Sequence, residues 1–137
     1  MSYSGVYYHN LDAKNRIFIP AKFRESLGET FYLFKSTEKC LYIYDEENWQ
    51  HTIDTIINES ATEEGRNRQR KIFKRVASVE MDKQGRITIN ADFVSHALLT
   101  KDVVIAGMGR RIEIWDLDEW NKIDDDDVSD IRNGIVY

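Results

Sequence analysis

Asp12 and Arg16 stand four residues apart around Ala13-Lys14-Asn15, and the same pair returns as Asp82 and Arg86 around Lys83-Gln84-Gly85. The chemistry open to this group is recognition of nucleic acid: arginine can pair with guanine O6 and N7, and lysine can meet a phosphate. Turn geometry alone accounts for part of it. An aspartate at the head of a turn accepts from backbone amides, and Asn15 or Gly85 supplies the left-handed residue that a tight bend needs. Asp12, Asp82 and Gly85 are therefore read as turn-forming. No turn asks for Arg16 and Arg86 just past the bend, nor for Lys14, Lys83 and Gln84 at its tip. Arg16, Arg86, Lys14, Asn15, Lys83 and Gln84 are the candidate DNA contacts. The rival reading pairs each arginine with the aspartate four residues earlier, and both can hold, because a carboxylate can orient the guanidinium that reads a base.

The duplication extends beyond the turn. The stretch Asp12-Ala-Lys-Asn-Arg16-Ile17-Phe-Ile19-Pro20-Ala21-Lys-Phe23 returns 70 residues later as Asp82-Lys-Gln-Gly85-Arg86-Ile87-Thr-Ile89-Asn90-Ala91-Asp-Phe93. Two copies of one unit packed about a pseudo-two-fold axis are expected. In the first, a strand at 5–9 leads through the turn to a return strand at 16–20, then a helix at 21–27 that Gly28 ends in a left-handed cap. Strands at 30–35 and 40–44 make a hairpin, and Asp45 caps a helix opened by acids. The second copy predicts strands at 77–81, 86–89, 102–106 and 111–115, with a helix from Ala91 to about Leu98. Asp116-Leu-Asp-Glu-Trp120 echoes Asp45-Glu-Glu-Asn-Trp49 at an offset of 71, which predicts a one-residue insertion. The chain divides into a first repeat at 1–52, a helical connector at 53–75 whose helices cross between halves, a second repeat at 76–122, and an acidic, disordered tail at 123–137.

Each half of about 60 residues is near the lower size limit for a lone domain, so the halves should share one core. A hydrophobic content of 42% and a single proline suit a packed globule. No apolar run approaches the roughly 20 residues that span a bilayer, and the N-terminus lacks the regions of a signal peptide, so a cytoplasmic protein is expected. The net charge of −5 conceals an uneven distribution. Residues 66–86 hold eight basic side chains against Glu80 and Asp82, whereas 112–131 holds nine acids against Lys122 alone. A positive face can therefore exist on an acidic protein. The basic helix at 66–75 could contact phosphates, could be a solvated face with Ile72, Phe73 and Val76 buried, or could pair with the acidic region of a neighbouring chain.

The duplicated Asp-x-x-x-Arg turn, Ile19-Pro20-Ala21-Lys22-Phe23-Arg24, Cys40-Leu-Tyr-Ile-Tyr44 before an acidic Trp helix, and Asp102-Val-Val-Ile-Ala-Gly107 leading to Arg111-Ile-Glu-Ile-Trp115 together resemble the MraZ family, within the AbrB-like superfamily of swapped-hairpin DNA-binding proteins. The resemblance covers roughly residues 3–122. It implies an α+β fold in which two tandem pseudo-symmetric βαββ repeats form one swapped-hairpin, double-psi-like β-barrel with flanking helices. It further implies a ring homo-oligomer, associated with the nucleoid, whose paired turns bind tandem promoter repeats in double-stranded DNA and usually repress the bacterial division and cell wall gene cluster. By that carry-over Arg16 and Arg86 are the motif arginines, Asp12 and Asp82 the motif aspartates, and Lys14 and Lys83 the basic positions beside them. Two positions depart from the family pattern: Asn15 stands for the usual glycine, and Asn90 for the proline that Pro20 retains, so the first turn is the one expected to read bases if only one does.

Other groups point elsewhere. His9, His51 and His96 lack a second ligand at metal spacing, so no metal or cofactor is expected. Cys40 is the only cysteine and is expected to be a buried strand thiol. Gly107-Met108-Gly109 is expected to be a hairpin turn, and Trp49, Trp115 and Trp120 recur with the repeat and are expected to pack. Asp12 and Asp82 on matching loops superficially resemble an aspartic-type hydrolase, but Ala13-Lys14 and Lys83-Gln84 follow them and nearby cations keep both ionised, so no enzyme is expected. A protein-interaction module of antitoxin type is the remaining alternative.

Overall fold

The computed structural model describes residues 2–123 and Ile131. Apart from Ile123 and Ile131, the acidic tail assigned to 123–137 lies outside the described residues. The order is β1 (Val6–Asn10), β2 (Arg16–Phe18), α1 (Ala21–Leu27), β3 (Thr30–Lys35), β4 (Leu41–Tyr44), α2 (Glu46–Asn58), α3 (Glu63–Phe73), β5 (Val76–Glu80), β6 (Arg86–Thr88), α4 (Ala91–His96), β7 (Asp102–Gly107), β8 (Ile112–Asp116) and α5 (Leu117–Asn121). The fold is α+β, with one six-stranded sheet ordered β1-β7-β8-β4-β3-β5 and a separate pair, β2-β6. All of these pairings are antiparallel.

Exchanging β1 with β5, β2 with β6, β3 with β7 and β4 with β8 reverses the sheet order onto itself, which is the signature of a pseudo-two-fold axis. The axis runs between Ile17 and Ile87, which are partners in the β2–β6 pair, and between Tyr42 and Glu113, partners in β4–β8. The turn after β1 does not close a local hairpin with β2. Instead β1 pairs with β7 and β5 pairs with β3, so the first strand of each repeat lies against a strand of the other. A three-residue strand has too little surface to hold a hairpin alone. Crossing over lets Ile17, Ile19, Ile87 and Ile89 all enter one shared core, where each is essentially inaccessible. Each such side chain contributes about 1.5–3 kcal/mol of hydrophobic stabilisation.

The helices follow from local chemistry. Pro20 sets the entry to α1, whose Phe23 and Leu27, four residues apart, fall on one buried face. Tyr3 and Tyr7 meet the Phe23 ring edge-on. Asp45 caps α2 by accepting from Asn48 N at 2.7 Å, and Asp116 caps α5 by accepting from Asp118 N at 3.1 Å. Helix α2 runs unbroken from Glu46 to Asn58, straight through the division drawn at residue 52. It packs on β3, β4 and α3, with Trp49 edge-on to Phe73. Helices α2 and α3 connect β4 to β5, and α2 lies over the β3–β4 side.

Three details differ from the sequence expectation. Phe73, inward in one of the three readings of the basic helix, is 41% exposed, and its ring meets Trp49 edge-on at the end of α3. The strand registers place equivalent residues 72 apart in β3 and β7 and 71 apart in β4 and β8, so the single insertion is a two-residue insertion before β7 and a one-residue deletion in the next turn. Helix α4 stops at His96, earlier than Leu98, and Leu98 itself has φ 55°. Its equivalent in the first repeat is Gly28, with φ 75° but ψ −163°, a positive-φ conformation outside the left-handed helical region that was expected.

Leu98 is thus a branched residue in a conformation that costs L-residues about 1–2 kcal/mol, while its side chain is 48% exposed. Leu98→Gly is expected to leave stability unchanged or raise it by about 1 kcal/mol in urea denaturation. A loss of more than about 1 kcal/mol would mean that the Leu98 side chain packs more than its exposure indicates.

Candidate nucleic-acid interface

Each turn is built by its aspartate. Asp12 Oδ1 accepts from Lys14 N and Arg16 N, both at 2.9 Å, and Asp12 Oδ2 accepts from Arg16 Nε at 2.7 Å. Asp82 repeats the set with Gln84 N and Arg86 N at 2.9 Å and Arg86 Nε at 2.8 Å. The ring closes through Asp12 N to Arg16 O and Asn15 N to Asp12 O, and through the matching bonds of Asp82. Asn15 and Gly85 take the left-handed position, with φ 59° and 80°. Each arginine is thus ion-paired with the aspartate four residues earlier, and the pair fixes the direction of the guanidinium.

The backbone of each turn also ties down the other repeat. Ile19 N donates to Gly85 O at 2.9 Å, and Ile89 N donates to Asn15 O at 2.8 Å. The two turns thus flank the β2–β6 ribbon. In that ribbon Arg16 lies opposite Thr88 and Phe18 opposite Arg86, with Ile17 and Ile87 between them. Alternation puts Arg16, Phe18, Arg86 and Thr88 on the face opposite to the buried isoleucines. The two arginines occupy one diagonal of that face, about 7–8 Å apart at the backbone. They are not equal. The Arg86 guanidinium lies over the Phe18 ring, 5.7 Å from its centroid, and its side chain is 19% exposed against 30% for Arg16.

Lys14, Lys83 and Gln84 are exposed beside the arginines, and Asn15 is half-buried. Sequence reasoning did not single out Phe18 and Thr88, which complete the outward face, or Arg24, whose guanidinium covers Gly85. The available signal was the mismatch within the repeat: Phe18 against Thr88, and Arg24 against Val94.

The carboxylates Asp12 and Asp82 sit below the usual range, first because the backbone N–H of Arg16 or Arg86 donates to them, then through the guanidinium and the Lys14 or Gln84 amide. The hydrogen bonds given for each carboxylate come from donors of its own turn. Several other ionisable groups are engaged within the fold. His96 Nε2 is within hydrogen-bond distance of Ser36 O and Glu38 O, and burial followed by the Arg24 charge lowers His9. Burial pushes the Cys40 thiol up to about 12, although Ser36 Oγ lies 3.1 Å from its sulfur. Arg111 stacks 4.2 Å from the Tyr42 ring centroid and pairs with buried Glu113, which also accepts from Trp115 Nε1. Along basic α3, Arg68 approaches Glu59 at 3.5 Å, Arg70 bonds Asn67, and the nearby Arg75 donates to Lys35 O and Ser36 O. Among the described residues no three His, Cys, Asp or Glu side chains could hold a metal, and no helix is long and apolar enough to cross a membrane.

Strands paired between two repeats, with one aspartate-braced basic turn at each end of a central ribbon, define a duplicated α+β protein with an antiparallel sheet. A family model described as "MraZ protein, putative antitoxin-like" matches residues 3–71 and again 72–132. Proteins named "Transcriptional regulator MraZ" share 40% identity over 96% of this chain and 93% of the relative from Lachnoclostridium phytofermentans, and 42% over 88% and 85% for Heliobacterium modesticaldum. That of Alkaliphilus oremlandii is 43% identical over 90% of this chain and 87% of its own. The chain belongs to the MraZ family. These relatives bear the name of a regulator and not of an enzyme.

Because both turn aspartates titrate lower in the folded chain, they stabilise it above the ordinary carboxylate range near pH 4, and that stabilisation fades as pH falls through their depressed values. The Asp12→Asn/Asp82→Asn variant is expected to lose less stability than the parent between pH 4 and pH 2 in urea titrations. Parallel acid limbs for the two proteins would contradict this.

Proposed function

We propose that the chain is a DNA-binding transcriptional regulator that reads promoter DNA through the outward face of the β2–β6 ribbon and its two flanking turns. One observation carries this reading: Arg16 and Arg86 are each pinned at Nε by a carboxylate, and among the described residues no hydrogen-bond acceptor holds their Nη atoms. A two-stranded ribbon fits the major groove, and an arginine fixed in this way offers the two parallel donors that guanine O6 and N7 accept. A spacing of about 7–8 Å corresponds to about two base-pair steps of about 3.4 Å. Lys14 and Lys83 supply phosphate contacts, and Asn15 and Gln84 supply amide donors at the tips.

In the finer reading, copies of the chain close into a ring, the ring engages tandem promoter repeats, and binding represses the division and cell wall gene cluster at the nucleoid in the cytoplasm. That the relatives are named transcriptional regulators supports regulation of transcription. Ring assembly adds what one small ribbon lacks: after the first contact the others become intramolecular, so fixed spacing in the DNA is read as a ruler. An acidic total charge keeps phosphate away from the remaining surface. The two sheets are read as one swapped-hairpin, double-psi-like barrel of the AbrB-like type, supported by the exchange of β1 and β5. An antitoxin-type role, in contrast, leaves the two unengaged guanidinium edges without a task.

Arg16→Ala is expected to cost about 1–3 kcal/mol per engaged site and to flatten sequence preference in footprinting of the DNA upstream of the protein's own gene. A folded variant with an unchanged footprint would contradict direct readout. Lys14→Ala/Lys83→Ala is expected to reduce the salt slope of binding by about one counterion per lost contact. An identical slope would assign both lysines to solvent.

A further inference from the structure

Gly85 is buried although it stands in an otherwise exposed turn, and its cover is the Arg24 guanidinium from α1. A Cβ built at Gly85 would lie 2.6 Å from Arg24 Cζ and Nε and 2.9 Å from Nη1. Arg24 Nε donates to Ile19 O at 2.7 Å, on the same residue whose N–H reaches Gly85 O. Among the described residues no acceptor holds the Arg24 Nη atoms, and no carboxylate pairs with it. Arg24 is therefore held as Arg16 and Arg86 are, with Nε pinned and the Nη edge unengaged. Its pin, however, is a neutral carbonyl, so its positive charge is not offset locally.

The first turn has no such companion. The residue equivalent to Arg24 is Val94, and the residue equivalent to Gly85 is Asn15, which carries a side chain of its own. The two differences belong together, because the arginine can lie against the second turn only where a Cβ is missing. The hydrogen-bond frame of a pseudo-two-fold ribbon presents nearly the same shape after half a rotation, so the frame alone does not select one of the two orientations on a duplex. One uncompensated guanidinium beside a single turn removes that degeneracy.

We infer that Arg24 is a third DNA-contacting arginine, serving the second turn alone, and that it sets which way round the protein sits on its DNA. The inference rests on the DNA-binding reading above. It adds that the half of the site facing Arg86 is gripped by two guanidinium groups and the half facing Arg16 by one.

The test attaches an iron chelate to a Glu25→Cys variant, at an exposed position of α1 beside Arg24, and maps hydroxyl-radical cleavage of the DNA upstream of the protein's own gene. Cys40 is buried and does not compete for the label. The parent Glu25→Cys protein is expected to cut on one side of each bound site. Adding Arg24→Val, which removes the guanidinium that only the second turn has, is expected to weaken binding about tenfold and to give cuts on both sides. Arg24→Lys keeps the charge and is expected to keep one-sided cutting. If Arg24→Val fails to fold, Asn15→Gly/Val94→Arg gives the first turn the same guanidinium cover and is expected to give two-sided cutting. One-sided cutting with undiminished affinity for Arg24→Val, or one-sided cutting for Asn15→Gly/Val94→Arg, overturns the role of Arg24 while leaving DNA binding intact. Absence of any binding by the parent overturns the DNA reading itself and this inference with it.

Discussion

Three residues of each repeat pair with three of the other in the β2–β6 ribbon, and Ile17 meets Ile87 at the axis where they cross. The fold depends on this pairing because it is where the two halves cease to be separable. With only three residues each, neither strand could persist alone, yet together they bring four isoleucines into one core and leave the opposite face to solvent. The same crossing fixes the turns. Ile19 and Ile89, just past the strands, each donate to the left-handed residue of the opposite turn, so neither turn can shift without disturbing the partner repeat. Core packing, turn geometry and the disposition of Arg16 and Arg86 are thus consequences of one antiparallel contact.

Much of this was legible in the sequence because it is local. The aspartate that heads each turn, the residue able to enter the left-handed region, Pro20 before α1 and Asp45 before α2 each act within a few positions, and each takes up the role its chemistry favours. Strand boundaries fell within one or two residues for the same reason. Pairing partners were less accessible. Alternation identifies which side chains face inward, but not which strand lies alongside, so β1 could be recognised as a strand without its partner β7 being evident. Phe73 shows a similar limit. An apolar residue at a helical position reads as buried, whereas its exposure depends on whether a neighbouring element happens to cover the end of α3.

Where the repeats differ, the differences form sets rather than scattered substitutions. Phe18 opposite Arg86 shields that arginine, and Thr88 opposite Arg16 does not. Gly85 admits Arg24, while Asn15 is matched with the smaller Val94. At the other end of the axis Tyr42 faces Glu113, a pair bridged by Arg111. A duplicated scaffold has kept its symmetric hydrogen-bond frame and changed the side chains laid upon it, giving two turns of one shape with unequal chemistry. This mismatch was visible as sequence differences but had no meaning until the contact between Arg24 and Gly85 placed α1 over the second turn.

The proposed function requires the ribbon-face arginines to recognise guanine in the major groove. Methylation interference tests it most directly, because a methyl group on guanine N7 blocks the acceptor that the claim requires while leaving phosphates and minor groove untouched. Binding is predicted to be excluded by methylation at guanines within each site, and the exclusion at one of them is predicted to disappear in Arg16→Ala. Binding that is indifferent to N7 methylation throughout the protected DNA would contradict the account.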